Sequence, residues 1–217
     1  MVYTSSSRSS TNALLFDFDG TLADTYSLFV EAINSAAKKH GFEHITEANY
    51  TALKAMDQRY VLRALGAPFW LWRWVAATIK QYFYDHRDRI RLFPGVESMI
   101  KHLAKHNELF IISANKHIIV HTVLEAYGLD SYFKEYVGTN SFFSKWRRIK
   151  SMMSAHSLAP SKTRYVWDEV RDIVASEAAG IRCIAVSRWY NTKEYLVNHS
   201  PYRVADTMID LESYTKF

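Results

Sequence analysis

The feature that most constrains this chain is an alternation. From Phe93 onward, short and mainly apolar runs at 109–112, 164–167 and 182–186 take turns with stretches of helical period at 97–105, up to Tyr127, at 145–156 and at 172–179. A strand with one face in water would show a polar residue at every second position. Runs that stay apolar fit strands buried on both faces. Strands that alternate with helices of this length build a parallel sheet covered on both sides. Another such run, 13–16, lies near the start, and a short strand is expected at 136–137.

Between the first strand and Phe93 the pattern is helical only. Leu28, Phe29, Ile33, Ala36 and Ala37 mark one face of a helix over 26–40, and Gly41 stands where a left-handed C-cap belongs. Thr46 caps a second helix carrying Tyr50, Leu53, Met56, Tyr60, Val61 and Leu65, which Gly66-Ala67-Pro68 breaks. A third, over 69–89, is crowded with Phe69, Trp70, Trp72, Trp74, Tyr82, Phe83 and Tyr84. Toward the end, Asn191 with Glu194 reads as the capping box of a last helix. The expected fold is α/β: a doubly wound parallel, Rossmann-like sheet with an inserted helical domain. The expected division is a disordered arm over 1–12, a core made of 13–24 and 92–217, and a helical insert over 25–91.

Composition narrows the function classes. With 217 residues and 48% hydrophobic content, the chain can bury a sizeable core. Its one cysteine, Cys183, lies in an apolar strand, so a disulfide scaffold and a cysteine-built zinc fold are excluded. The 27 basic residues exceed the 22 acidic ones by a modest +5, scattered along the chain. That balance helps to draw in anionic ligands but argues against nucleic-acid binding. No stretch approaches the ~18 consecutive apolar residues that cross a bilayer, since Arg73 and Lys80 interrupt the aromatic helix. The Ser-rich first residues lack an apolar segment, so the expectation is a cytoplasmic protein with no membrane partner. No Gly-rich nucleotide loop is present, which excludes kinase and GTPase readings.

The chemistry gathers at Asp17-Phe18-Asp19-Gly20-Thr21-Leu22. Two carboxylates two residues apart, at the carboxyl end of a strand, point to the same side. Ligands of open α/β sheets bind at such strand ends. Gly20 permits the tight turn, and the Thr21 hydroxyl can donate to an anion.

This string resembles the first motif of the haloacid dehalogenase superfamily, and three further segments in the right order are similar to its other motifs. Ile111-Ile112-Ser113-Ala114-Asn115 matches the second, a hydroxyl residue that ends an apolar strand. Ser141-Phe142-Phe143-Ser144-Lys145 matches the third, with Lys145 as its lysine and Lys150 as the alternative. The segment from Tyr165 to Ile173 is similar to the fourth, acidic motif as found in phosphoglycolate-phosphatase-like members. The resemblance implies a phosphatase with a helical cap. It implies Asp17 as nucleophile, Asp19 as acid and base, and Lys145 as the charge beside them. Thr21, Ser113 and Asn115 would bind the phosphoryl group. A Mg²⁺ ion would be held by Asp17, the Asp19 carbonyl, Asp168 and either Asp172 or Glu169. The substrate would be a small phosphorylated metabolite such as phosphoglycolate. A phosphomutase, a sugar phosphatase and a non-catalytic binding protein of the same fold are the alternatives.

Two departures stand out. Trp167 replaces a glycine usual before the fourth-motif aspartate, and Ser144 a glycine often found before the lysine. Alternation turns Trp167 away from the Asp168 carboxylate, and its bulk is expected under the cap or along the substrate pocket. Arg59, Arg63, Arg73 and Arg87 are candidates for a substrate carboxylate. The aromatic cap helix offers a homodimer face. The pairs His102/His106 and His117/His121, with spacing suited to metal, are expected to be solvated.

Overall fold

A computed structural model of the chain describes residues 11–56, 60–138, 145–187 and 191–217. Arg59, the Ser141–Ser144 part of the lysine motif and most of the N-terminal arm lie outside the described residues.

The core is a six-stranded, all-parallel sheet. In chain order its strands are β1 (Asn12–Phe16), β4 (Asn107–Ser113), β5 (Phe133–Gly138), β6 (Thr163–Trp167), β7 (Arg182–Val186) and β8 (Arg203–Ala205). Across the sheet they run β5-β4-β1-β6-β7-β8. β1 is central, and the chain winds outward from it first to one side and then to the other. The order reverses between β1 and β6, which is where a doubly wound sheet opens a crevice for ligand.

Each strand packs on both faces, and the side-chain period of two assigns the residues. Leu14 and Phe16 of β1 join Ile111 and Val166 in one core. Ala13 and Leu15 join Phe110, Ile112, Tyr165, Trp167 and Ala185 in the other. Helices α5 (Val96–Leu103), α6 (His117–Ala126) and α10 (Met208–Tyr214) contribute to the first, and α7 (Lys145–Ala155) and α8 (Arg171–Ala179) to the second. Cys183 is buried in β7 as a core residue.

The cap is the helical insert: α1 (Tyr26–His40), α2 (Glu47–Lys54), α3 (Val61–Ala64) and α4 (Trp72–Asp85). α1 ends as its sequence dictates, with Gly41 left-handed at φ 75° and its N–H on the Ala37 carbonyl. A two-stranded antiparallel ribbon, β2 (Ala23–Asp24) with β3 (Arg91–Leu92), forms where the chain leaves the core and returns to it.

Local detail departs from the sequence expectation at several points. The helix expected from Thr46 to Leu65 is two, α2 and α3. The aromatic helix is α4 flanked by 3₁₀ turns at Phe69–Leu71 and Arg87–Arg89. β5 runs six residues where two were expected. β2, β3, β8 and α10 have no counterpart in the sequence pattern; the strands are only two or three residues long, too short to show a period. Helix α9 (Lys193–Val197) is capped by Thr192, whose hydroxyl accepts from the Tyr195 N–H at 3.3 Å, and not by Asn191. Asn191 is instead buried and bridges core and cap. Its Oδ1 accepts from the Val170 N–H at 3.4 Å, and its Nδ2 donates to the carbonyls of Lys54 and Met56, each at 3.2 Å.

Candidate active site

Adjacent strands deliver the acidic residues to one place. β1 pairs with β4 on one side and β6 on the other, with Phe16 opposite both Ile111 and Val166. The three strands therefore end side by side, and the next residues, Asp17 after β1, Asp168 after β6 and Ser113 at the end of β4, meet at their carboxyl edge. The Asp17 N–H continues the ladder to the Val166 carbonyl at 2.8 Å. Beyond it the chain turns at Gly20, whose φ of 71° favours glycine, and the N–H groups of Leu22 and Ala23 close on the Phe18 carbonyl.

Lys145, the first residue of α7, reaches across to Asp17. Its Nζ lies 2.6 Å from Asp17 Oδ2 and 2.7 Å from Asp172 Oδ1. The other Asp17 oxygen accepts from the Phe18 N–H at 2.8 Å. Burial works against the Lys145 ammonium, but Asp17 and Asp172 outweigh it and hold its pKa above the ordinary value. Lys145 thus stays charged beside Asp17.

Asp19 is held differently. Asn115 Nδ2 donates to both its carboxylate oxygens, at 2.8 and 2.9 Å, and the Ser113 hydroxyl approaches at 3.4 Å. The Asn115 N–H in turn donates to Ser113 Oγ at 2.9 Å. Burial, reinforced by the charge of Asp17, pushes Asp19 up to about 7. Two carboxylates from one motif are thereby given different environments: one is clamped by a cation, the other is poised to carry a proton near neutrality.

Asp168 is fully buried. Its Oδ1 accepts from the Thr21 hydroxyl at 3.3 Å, and its Oδ2 is buried with no hydrogen-bond partner among the described residues. Burial and the neighbouring charges of Glu169 and Asp17 drive it well above the carboxylate range. Thr21 is itself fully buried and turned toward Asp168, so its hydroxyl does not stand free for a phosphoryl group. Asp172 lies on the far side of Lys145, where it also accepts from the Tyr165 hydroxyl at 3.3 Å, and burial raises it. Glu169 faces the Arg171 guanidinium, 2.9 Å from its Nε, and burial still brings it to about 7.

Trp167 corrects the expectation made for it. It lines neither the cap contact nor the cleft. It is fully buried in the core on the opposite side of the sheet, among Leu15, Ile112, Tyr165 and Ala185. Alternation along β6 sends residues 165 and 167 to that face together.

The cleft over the carboxylates is floored by Asp17, Asp19, Asn115 and Arg171 of the core, and roofed by Phe29, Ile79, Lys80 and Phe83 of the cap. Of the arginines proposed for substrate, Arg63 and Arg73 are exposed, and Arg87 folds back on the Tyr84 carbonyl at 2.6 Å. None of the three lines the cleft. Lys80 does, and a signal for it was available. Val75, Ile79 and Phe83 recur at helical spacing, and Lys80 is the cation at the edge of that stripe. Phe69, Trp70 and Trp74 are exposed on the cap, away from the cleft. His121, expected in solvent, instead meets Asp130 at 3.0 Å beside the Tyr136 hydroxyl.

Residues 14–186 match the family model for haloacid dehalogenase-like hydrolase. The chain is 29% identical over 200 residues to a phosphoglycolate phosphatase of Synechococcus elongatus, covering 92% of this chain and 94% of that one. It is 25% identical over 209 residues to a phosphoglycolate phosphatase of Aliivibrio fischeri, covering 89% and 91%. A predicted phosphatase from Clostridium acetobutylicum superposes with a TM-score of 0.81 at 17% identity, over 95% of this chain and 98% of that one; at that identity the likeness speaks for fold alone. The strand-end carboxylates and the extent of these matches lead to one conclusion: the chain belongs to the haloacid dehalogenase-like hydrolase family, within its phosphoglycolate-phosphatase-like subgroup.

Proposed function

We propose that this hydrolase is a Mg²⁺-dependent phosphatase of small phosphomonoesters of the phosphoglycolate kind, working through a phosphoaspartate on Asp17. The observation that carries the reading is the contrast between Asp17, clamped by Lys145 at 2.6 Å, and Asp19, cradled by Asn115 and raised to about 7. A nucleophile and a proton carrier stand two residues apart on one cleft floor.

In the first step an Asp17 oxygen bonds to phosphorus as the ester P–O bond breaks, and Asp19 gives its proton to the departing alkoxide. In the second, water attacks the same phosphorus, Asp19 takes the proton back, and inorganic phosphate leaves Asp17 free. Lys145 and the Ser113 hydroxyl supply positive charge and a donor toward the phosphoryl oxygens. Asn115 orients Asp19.

The residues suit a hard divalent cation. Asp17, Asp168, Glu169 and Asp172 are buried, and with Asp19 they outnumber Lys145 and Arg171; Asp168 Oδ2 has no hydrogen-bond partner among the described residues. Among the described residues no three His, Cys, Asp or Glu side chains converge on one point. Asp17 and Asp168 would therefore hold the ion together with the Asp19 carbonyl and water. When bound, Mg²⁺ supplies the charge that lets a carboxylate approach a phosphate dianion. Asp172, fixed on Lys145 and Tyr165, serves this reading best as the residue that positions the lysine.

The metal is tested directly. Chelator is expected to abolish hydrolysis of p-nitrophenyl phosphate and added Mg²⁺ to restore it. Asp168→Asn is expected to raise the half-saturating Mg²⁺ concentration roughly 10- to 100-fold. Full activity in chelator refutes the reading. The acid role is tested by Asp19→Asn, expected to lower kcat by about 10²–10⁴ for alkyl phosphates and by less for aryl phosphates, whose leaving group needs little protonation. Equal losses on both would remove Asp19 from that role. No helix among the described residues is long and apolar enough to cross a membrane, and a cytoplasmic site of action is part of the same proposal, as is a homodimer through the exposed cap aromatics.

A further inference from the structure

The loop that carries Asn115 passes over the end of β5 with no room to spare. Gly138 is the last residue of β5 and stands opposite Ser113 in the ladder. A methyl group on its α-carbon would lie 2.5 Å from the His117 nitrogen, 2.6 Å from the Asn115 carbonyl oxygen and 3.0 Å from the Lys116 carbonyl carbon. All three are backbone atoms, so no side chain can turn aside to make space. The other six glycines of the chain take a positive φ, and their conformation accounts for them. Gly138 does not. Its place in the strand would suit other residues, and the close approach of the passing backbone is what calls for glycine there.

That loop holds the proton carrier. Asn115 is buried, its Nδ2 bonds both Asp19 oxygens at 2.8 and 2.9 Å, and its N–H rests on Ser113 Oγ at 2.9 Å. Carbon packs best at about 3.5–4.0 Å from its neighbours, so a methyl group at position 138 would drive the backbone of Asn115–His117 back by roughly 1 Å. We infer that Gly138 is a positioning residue for the reaction: its missing side chain lets the loop pass close over β5 and sets the Asn115 amide at hydrogen-bonding distance from Asp19. The inference rests on the phosphatase reading and deepens it. Gly138 has no group to offer the substrate and acts through Asn115. Once the amide is displaced, it no longer aligns the Asp19 carboxyl with the leaving oxygen, and a misplacement of about 1 Å costs on the order of 10²-fold in rate. The loss has a signature. A donor to the phosphoryl oxygens, such as Ser113, serves every phosphoester alike, whereas the acid matters most where the leaving oxygen is basic.

The test compares 2-phosphoglycolate, which releases an alkoxide, with p-nitrophenyl phosphate, whose leaving group needs little protonation. The readout is kcat/KM, which reports the steps up to release of the alcohol and leaves out hydrolysis of the phosphoenzyme. Gly138→Ala is expected to lower it about 10²-fold for 2-phosphoglycolate and less than about 10-fold for p-nitrophenyl phosphate. Asn115→Ala, which leaves β5 untouched, is expected to show the same bias toward the aryl substrate. The double variant is expected to match Asn115→Ala within about 2-fold, because a residue that acts through the amide has nothing left to act on. Equal losses on the two substrates in either single variant overturn the inference, as does a double variant in which the two losses multiply. A fully active Gly138→Ala overturns it too, and so does one that fails to fold, which would place the glycine in the support of the fold. A wild type inert toward both phosphoesters overturns the phosphatase reading and the inference with it.

Discussion

Asp17→Asn is expected to eliminate turnover, with kcat falling by roughly 10⁴-fold or more, while the protein stays folded. The amide keeps the shape of the side chain and can still accept from the Phe18 N–H, now 2.8 Å from Oδ1. It cannot form the acyl phosphate. It also removes one of the two carboxylates that neutralise Lys145, and Asp172 remains at 2.7 Å to hold the lysine in place. The substitution therefore separates chemistry from stability. Rapid quenching of the wild type with a labelled phosphoester, followed by peptide mapping, is expected to find phosphate on Asp17. Label on any other residue, or an Asp17→Asn enzyme with more than about a hundredth of wild-type kcat, would falsify the nucleophile assignment. Thermal unfolding of the variant near the wild-type midpoint completes the test.

Trp167→Ala is expected to do the opposite, removing stability and leaving the site. The indole is fully buried on the face of the sheet away from the cap. Truncating a buried tryptophan costs about 3–5 kcal/mol, which for a chain of this size lowers Tm by roughly 6–20 °C. The indole N–H has no hydrogen-bond partner among the described residues, so Trp167→Phe fills most of the space while removing a buried unsatisfied donor, and its cost is expected to be at most about half as large. Mg²⁺ dependence and substrate range, measured below the transition, are expected to match wild type for both. A widened substrate range in Trp167→Ala, with stability intact, would return the residue to the pocket wall.

The two variants mark what sequence could and could not disclose. The alternation of buried strands and helices was legible because β1, β4, β6 and β7 carry mainly apolar runs at 13–16, 109–112, 164–167 and 182–186, and the end of α1 because Gly41 takes a conformation that other residues resist. The grouping of Asp17, Asp19, Ser113 and Asp168 was legible through strand ends, since a parallel sheet brings equivalent ends together. Trp167 was misplaced because a strand's period gives the face but not which side of the sheet the cap covers. Thr21 was expected to face ligand and is buried against Asp168, a pairing across 147 positions that no local pattern encodes. Lys80, and none of Arg63, Arg73 and Arg87, lines the cleft, because depth in a cleft depends on how α4 crosses α1, and that crossing is tertiary. The short strands β2, β3 and β8 were invisible because two or three residues carry no period.

Asn191 has a mechanical consequence. One side chain grips the backbone just past Asp168 and Glu169 with its oxygen, and the end of α2 with its nitrogen. The amide thus adds a polar tie between cap and core to the β2–β3 ribbon and to the apolar packing the two share. Its partner on the core side is the Val170 N–H, two residues past Asp168. Where that tie is broken, the loop that carries Asp168 loses a tether, so the seating of the roof bears on the acidic edge of the sheet.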